Sequence, residues 1–333
     1  MKPPKKLIPD FDVNILMMSL SETKDYGHSM HNVPKAWLET KGEGIKVAVI
    51  DTGLPVHRDL TANILDAANF TDSPIEDLVS GHATHCAGII AACENDEGIV
   101  GIAPRAKLLI GKALDDQGGG DDRSISQSVL WAIDKGANVI SMSLGAPAKY
   151  ASYFPKTQAA ITAAYKKGIV IICASGNENA SQVGVPARFE ECISVAAVDS
   201  NKQRANFSNK GPLLDFASAG VNVLSTFKNK TFAKLSGTSM ACPQIAGISA
   251  LILSNHLNEG NNGRTPINGP EDVREHLRKI CLDVGKAGFD EEYGHGIPVF
   301  GHINDENPDK PPVEPPKKDI WSWMREWILG LFG

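Results

Sequence analysis

Four short stretches carry side chains that could do nucleophilic chemistry if a fold gathers them. In Leu235-Ser236-Gly237-Thr238-Ser239-Met240-Ala241-Cys242-Pro243, Gly237 permits a tight turn. Thr238 or Ser239 can cap the helix that runs on into the apolar 244–255. Ser239 then stands at a helix N-terminus, where free N–H groups favour developing negative charge. A purely capping serine reads the same, so the hydroxyl becomes a nucleophile only beside a base and an orienting acid. Asp51 is a candidate acid: it closes the apolar run Ile45-Lys46-Val47-Ala48-Val49-Ile50 and precedes Thr52-Gly53. The C-terminal end of such a strand is where open α/β sheets place their sites. Gly81-His82-Ala83-Thr84-His85-Cys86 offers imidazoles, with His82, Cys86 and Ile89 on one face of a helix. Its histidines are spaced i, i+3 without a glutamate, which departs from the zinc-peptidase pattern. Asn177 ends the run Val170-Ile171-Ile172-Cys173-Ala174-Ser175-Gly176. Its amide can donate into a site or simply form a turn.

Positioning these groups requires strands and helices in alternation, and the hydropathy supplies them. Apolar runs at 106–113, 138–144, 169–174 and 192–198 join Ile45–Ile50, with helical patterns over 123–136 and 155–167. Near-continuous apolar strands separated by helices predict an α/β fold: a doubly wound, mostly parallel sheet flanked by helices.

Composition narrows the class. The 333 residues can hold one large domain with appendages. A formal net charge of −6 argues against nucleic acid as a partner. No apolar leader core follows Lys5-Lys6, and no segment approaches the ~20 apolar residues that span a bilayer, so a cytoplasmic location is expected. The six cysteines lack CxxC pairs and mostly sit in apolar runs, which predicts reduced, buried thiols.

In chain order, Asp51-Thr52-Gly53, Gly81-His82-Ala83-Thr84-His85, Ala174-Ser175-Gly176-Asn177 and Ser236-Gly237-Thr238-Ser239-Met240-Ala241 resemble the motif blocks of the subtilisin-like serine proteases, which run Asp, His, Ser. The resemblance implies a subtilisin-like fold over 25–303 and an endopeptidase acting on polypeptides. It makes Ser239 the nucleophile, His82 the base, Asp51 its orienting acid, and Asn177 an oxyanion donor with the Ser239 N–H. It assigns substrate pairing to Ser143-Leu144-Gly145 and to Gly119 within Leu114–Gly120, a strand edge for β-augmentation. Gly184 falls on the floor of the primary pocket and Glu178 at its rim, with Asp121-Asp122 adding acid nearby, so a basic residue before the scissile bond would be tolerated. A structural Ca²⁺ is implied, held by the side chains of Asp59 and Asn95 and the carbonyls of Cys93, Glu97 and Ile99. Three positions depart from the family pattern: Ala83, and Cys242 and Gln244 behind Ser239. The Cys242 thiol near the active centre would make the enzyme sensitive to oxidants or mercurials.

Both ends call for separate readings. Residues 1–24 form an extension whose Leu7-Ile8-Pro9 is similar to the inhibitory motif of the intracellular branch of that family. It would lie in the cleft, with Pro9 hindering its own cleavage. Residues 304–318 read as a stiff proline-rich linker. Residues 319–333 read as a tryptophan-rich amphipathic helix, suited to a membrane surface, to the catalytic domain or to a homodimer contact.

Overall fold

The computed structural model describes residues 4–9, 12–16, 21–259, 267 and 269–302. The expected linker and C-terminal helix lie outside these residues. In chain order the elements are β1 (Asn14–Leu16), α1 (Tyr26–Met30), α2 (Val33–Ala36), β2 (Lys46–Asp51), α3 (Arg58–Thr61), β3 (Ile64–Asn69), α4 (His82–Ala91) and β4 (Lys107–Lys112). They continue with α5 (Asp122–Asp134), β5 (Val139–Met142), α6 (Pro155–Lys166), β6 (Val170–Ala174), β7 (Cys192–Val198), β8 (Phe216–Ala219), β9 (Val223–Phe227), β10 (Thr231–Leu235), α7 (Thr238–Glu259) and α8 (Pro270–Lys279).

Seven strands form the central sheet in the order β3-β4-β2-β5-β6-β7-β8, and every pairing in it is parallel. Strands β5, β6, β7 and β8 are buried at every residue. Such strands need helices for cover: α4 packs on α7, α5 on α6, and both pairs touch the sheet. Helix α5 starts at a capping box in which the Asp121 carboxylate accepts from the Ser124 N–H at 2.8 Å. Helix α7 carries no polar face because it runs through the core; Ile245, Ile248 and Leu251 are all buried.

A second, antiparallel sheet runs β1-β10-β9. Polar-looking strands build this side of the molecule, and their hydroxyls are satisfied internally. Ser225 Oγ donates to the His85 carbonyl and Thr226 Oγ1 to the Thr84 carbonyl, each at 2.8 Å. Among the described residues, no helix is long and apolar enough to cross a membrane.

Candidate active site

Asp51 and His82 arrive from neighbouring elements, the last residue of β2 and the first of α4. His82 Nδ1 lies 2.7 Å from Asp51 Oδ1 and 2.9 Å from Oδ2, and both residues are buried. Burial pulls the imidazole pKa down, but the Asp51 carboxylate outweighs it and holds His82 well above its ordinary 6.5. Gly81, at φ +80°, makes the turn into α4, and a Cβ there would fall 2.6 Å from the Phe227 ring.

A second carboxylate, absent from the sequence-based set, locks this arrangement. Buried Asp77 accepts from Thr52 Oγ1 (2.9 Å) and Gly81 N–H (2.9 Å), and from the Thr84 N–H and Oγ1 (2.8 Å each). It thus caps α4 and ties that cap to the turn after Asp51. Thr52 Oγ1 in turn accepts from the Ala83 N–H at 3.0 Å, so the unusual alanine beside His82 sits in an ordinary helical turn. Below the turn, fully buried Lys112 donates to the Thr52 carbonyl and, at 2.8 Å, to Asp116 Oδ1.

His85 takes no part. Its Nε2 lies 3.1 Å from both the Val223 and Ala233 carbonyls, and burial lowers its pKa to about 3. It is a neutral donor that holds α4 to β9 and β10 through Nε2.

Ser239 is the second residue of α7. Four residues on, Pro243 has no N–H to give the Ser239 carbonyl. That carbonyl instead accepts from Ser143 Oγ at 2.8 Å and from Cys86 Sγ at 3.4 Å. Ser239 Oγ donates to the Ser143 carbonyl at 3.2 Å. Cys86 Sγ also lies 3.9 Å from His82 Nδ1, so Cys86, rather than Cys242, is the thiol that touches both His82 and Ser239. Cys242 points away, to Ser141 Oγ (3.6 Å) and the Ile172 carbonyl (3.4 Å), and burial pushes its pKa up to about 12.

Asn177 is held through its oxygen: Oδ1 accepts from Thr238 N–H (2.9 Å) and Thr238 Oγ1 (3.1 Å). The Nδ2 group is thereby turned the other way. A cavity beside it is lined by Leu144, Gly145, Gly184, Glu178, Thr238 and Ser239, and by Leu7 and Pro9 of the N-terminal segment. The acid expected next to Glu178 does not join it. Asp121 caps α5, and the Asp122 carboxylate accepts from the N–H groups of Lys156 (3.0 Å) and Thr157 (2.7 Å). Glu178 itself is exposed, with Oε2 accepting from Asn209 Nδ2 at 2.6 Å.

The chain's own N-terminal segment meets both expected substrate edges. Lys6 pairs with Gly119 in an antiparallel bridge. Leu7 N–H donates to the Gly118 carbonyl (2.8 Å), Gly120 N–H to the Lys5 carbonyl (3.0 Å) and Gly145 N–H to the Leu7 carbonyl (2.8 Å). Leu7 and Ile8 are buried. Residues 115–120 form a turn held by the Asp115 carboxylate rather than the strand expected there.

At the expected metal loop, Asp59 is fully buried and Oδ2 accepts from the Ile99 N–H at 3.2 Å. Its Oδ1 accepts no hydrogen bond among the described residues and faces Arg58 Nε at 3.7 Å. Gly98, at φ +61°, leaves the room that a side chain would fill, since a Cβ there would lie 2.2 Å from Asp59 Oδ2. Cys93 N–H donates to the Asp59 carbonyl (2.6 Å), and Asn95 Oδ1 accepts from the Glu97 N–H (3.1 Å). Glu22, missed in the sequence, adds a carboxylate that accepts from the Asn95 N–H at 2.9 Å. A buried, under-bonded carboxylate oxygen among oxygen donors fits a hard cation.

Comparison with known proteins defines the class to which this geometry belongs. Residues 42–296 match the Subtilase family (Peptidase_S8). The chain is 38% identical over 257 residues to M-protease of Shouchella clausii, covering 77% of this chain and 63% of M-protease. Against subtilisin BL of Lederbergia lenta it is 38% identical over 257 residues, covering 77% and 89%. With an intracellular serine protease of Paenibacillus polymyxa it shares 41% identity over 237 residues, 68% of this chain and 72% of that protein. The chain belongs to the subtilase family of serine peptidases.

Proposed function

We propose that the protein is a serine endopeptidase that hydrolyses polypeptides through an acyl-enzyme. The observation that carries this reading is the buried Asp51–His82 pair, bonded at 2.7 Å and linked to Ser239 through Cys86, whose Sγ touches both His82 Nδ1 and the Ser239 carbonyl. In the first step Ser239 Oγ bonds to the scissile carbonyl carbon while its proton passes to His82 Nε2. Asp51, through Nδ1, keeps the ring oriented and stabilises the imidazolium. The oxyanion accepts from Asn177 Nδ2 and the Ser239 N–H. As the intermediate collapses, the C–N bond breaks and the amine leaves with the proton from His82. Water then repeats the sequence on the ester, releasing the acid and restoring the Ser239 hydroxyl.

Leu7, Ile8 and Pro9 act as a restraint in this reading, as the backbone bonds of Lys5–Leu7 to both substrate edges suggest. A proline after Ile8 has no N–H and resists productive seating. Calcium would be held by Asp59 and Asn95 with the carbonyls of Cys93, Glu97 and Ile99, and would brace that loop against α3. A cytoplasmic location accords with the similarity to the Paenibacillus polymyxa protein. Membrane-surface or dimer contacts belong to residues 319–333. Fluorophosphonate labelling of the full chain and of a chain lacking residues 1–20, with Ser239→Ala as control, tests the reading. Labelling at Ser239, stronger in the shorter chain, is expected; its absence from both would reject the peptidase.

A further inference from the structure

One buried amide outside the residues assigned so far is bonded on every side to the loop that presents Asn177. Asn209 lies between β7 and β8 and is 1% exposed. Its Nδ2 donates to the Ser175 carbonyl at 3.1 Å and to Glu178 Oε2 at 2.6 Å. Its Oδ1 accepts from the N–H groups of Glu178 (3.1 Å) and Ala180 (2.8 Å). A carboxamide offers two donors and two acceptor lone pairs, and all of them are used within 175–180. The Asn209 main-chain N–H adds a bond to the Gly176 carbonyl at 2.9 Å. Gly176, at φ +111°, comes so near that a Cβ would fall 2.2 Å from Asn209 Nδ2.

We propose that Asn209 is a positioning residue for catalysis: it fixes the 175–180 loop so that the Asn177 carboxamide meets the developing oxyanion. The inference rests on the acyl-transfer reading above. No helix or named strand runs between Ala174 and Cys192; Ser175 and Val185 bond to Val195 and Ala146, and the backbone at 176–180 must find its partners elsewhere. Thr238 holds the Asn177 oxygen and, through Oγ1, the Gly176 N–H at 3.2 Å, which fixes the amide and the backbone before it but leaves the backbone at 178 and 180 to other partners. Asn209 supplies that second constraint. Its carboxamide is specific to the task, because a carboxylate there would lose both donors and face Glu178 with like charge.

The test uses the full chain carrying Leu7→Asp, to open the cleft, with an oligopeptide p-nitroanilide and a peptide boronate. Asn209→Ala should lower kcat about tenfold, less than the ~10²–10³ that loss of the corresponding donor costs in a subtilisin. KM should stay within about twofold, and boronate affinity should fall by the factor seen in kcat/KM. In an Asn177→Ala background the same substitution should change kcat by less than about twofold, since the donor it positions is gone. Asn209→Asp should be slower still, and adding Glu178→Gln should recover part of the rate by restoring a donor across the contact. An unchanged kcat in Asn209→Ala, or an undiminished loss in the Asn177→Ala background, overturns the proposal. Should Asn209→Ala not fold, the Asn209→Asp pair decides: equal kcat with and without Glu178→Gln overturns it. A Leu7→Asp chain with Asn209 intact that cleaves no peptide overturns the acyl-transfer reading instead.

Discussion

Gly145 and Leu7 face one another across the cleft, the Gly145 N–H donating to the Leu7 carbonyl at 2.8 Å. On the proposed reading an extended substrate would need that same amide, so the N-terminal segment and substrate would compete for it. Burying one large apolar side chain contributes about 1.5–3 kcal/mol, equivalent to roughly tenfold or more in occupancy. Leu7→Asp in the full chain should therefore raise fluorophosphonate labelling of Ser239 at least about tenfold. Labelling rates equal to the unaltered chain would remove the segment from any restraining role.

As the proposed base, His82 would work only when neutral, and Asp51 holds its pKa above 6.5. The rate should consequently rise with pH through a midpoint above 6.5 and fall away as the imidazole keeps its proton below it. Asp51→Asn should move that limb to lower pH and cut kcat by ~10⁴. A kcat/KM profile on both proteins checks this; an acid limb unmoved by Asp51→Asn would separate the two residues.

His85 is shifted in the opposite direction and acts on stability. Its folded pKa of about 3 lies below its ordinary 6.5, so between these values the unfolded chain binds a proton that the native chain refuses. Stability is fully present above about pH 6.5 and is lost as pH falls toward 3, by up to ~1.4 kcal/mol per unit. His28 and His31, each lowered to about 4 by burial, add to the slope. Thermal melts of the Ser239→Ala chain should show this acid limb, and His85→Gln should flatten it while lowering the melting temperature at pH 8.

Calcium should raise the melting temperature of the Ser239→Ala chain and a chelator should lower it. Saturation at 100 times Kd corresponds to about 2.7 kcal/mol. Asp59→Asn removes the buried charge on which the loop depends and should abolish the calcium response. Identical calcium shifts in both proteins would place the ion elsewhere.

The central strands were legible because β2, β5, β6 and β7 are buried and therefore apolar at nearly every position. Asp51 and Ser239 were legible for a related reason, since each stands where an apolar run meets a small-residue turn. Strands β8–β10 were not foreseen. Ser218, Ser225 and Thr226 break the apolar pattern there, and only the fold reveals that their hydroxyls have buried partners. Asp77 was hidden in the polar 71–80, which has no period to mark a cap four residues before Gly81. The roles of Cys86 and Cys242 were confused because both lie on helices near the site, and sequence spacing does not tell which helix face meets which neighbour.

Asp77 has a bearing on how such a chain can diverge. By clasping Thr52 with one carboxylate oxygen and Thr84 with the other, it makes the Asp51–His82 separation independent of the route the chain takes from β3 to Ile75. The partly exposed tip at 71–74 can therefore lengthen, shorten or take on a recognition sequence without moving acid from base. New selectivity could be grafted at that tip while the reaction itself stays unchanged.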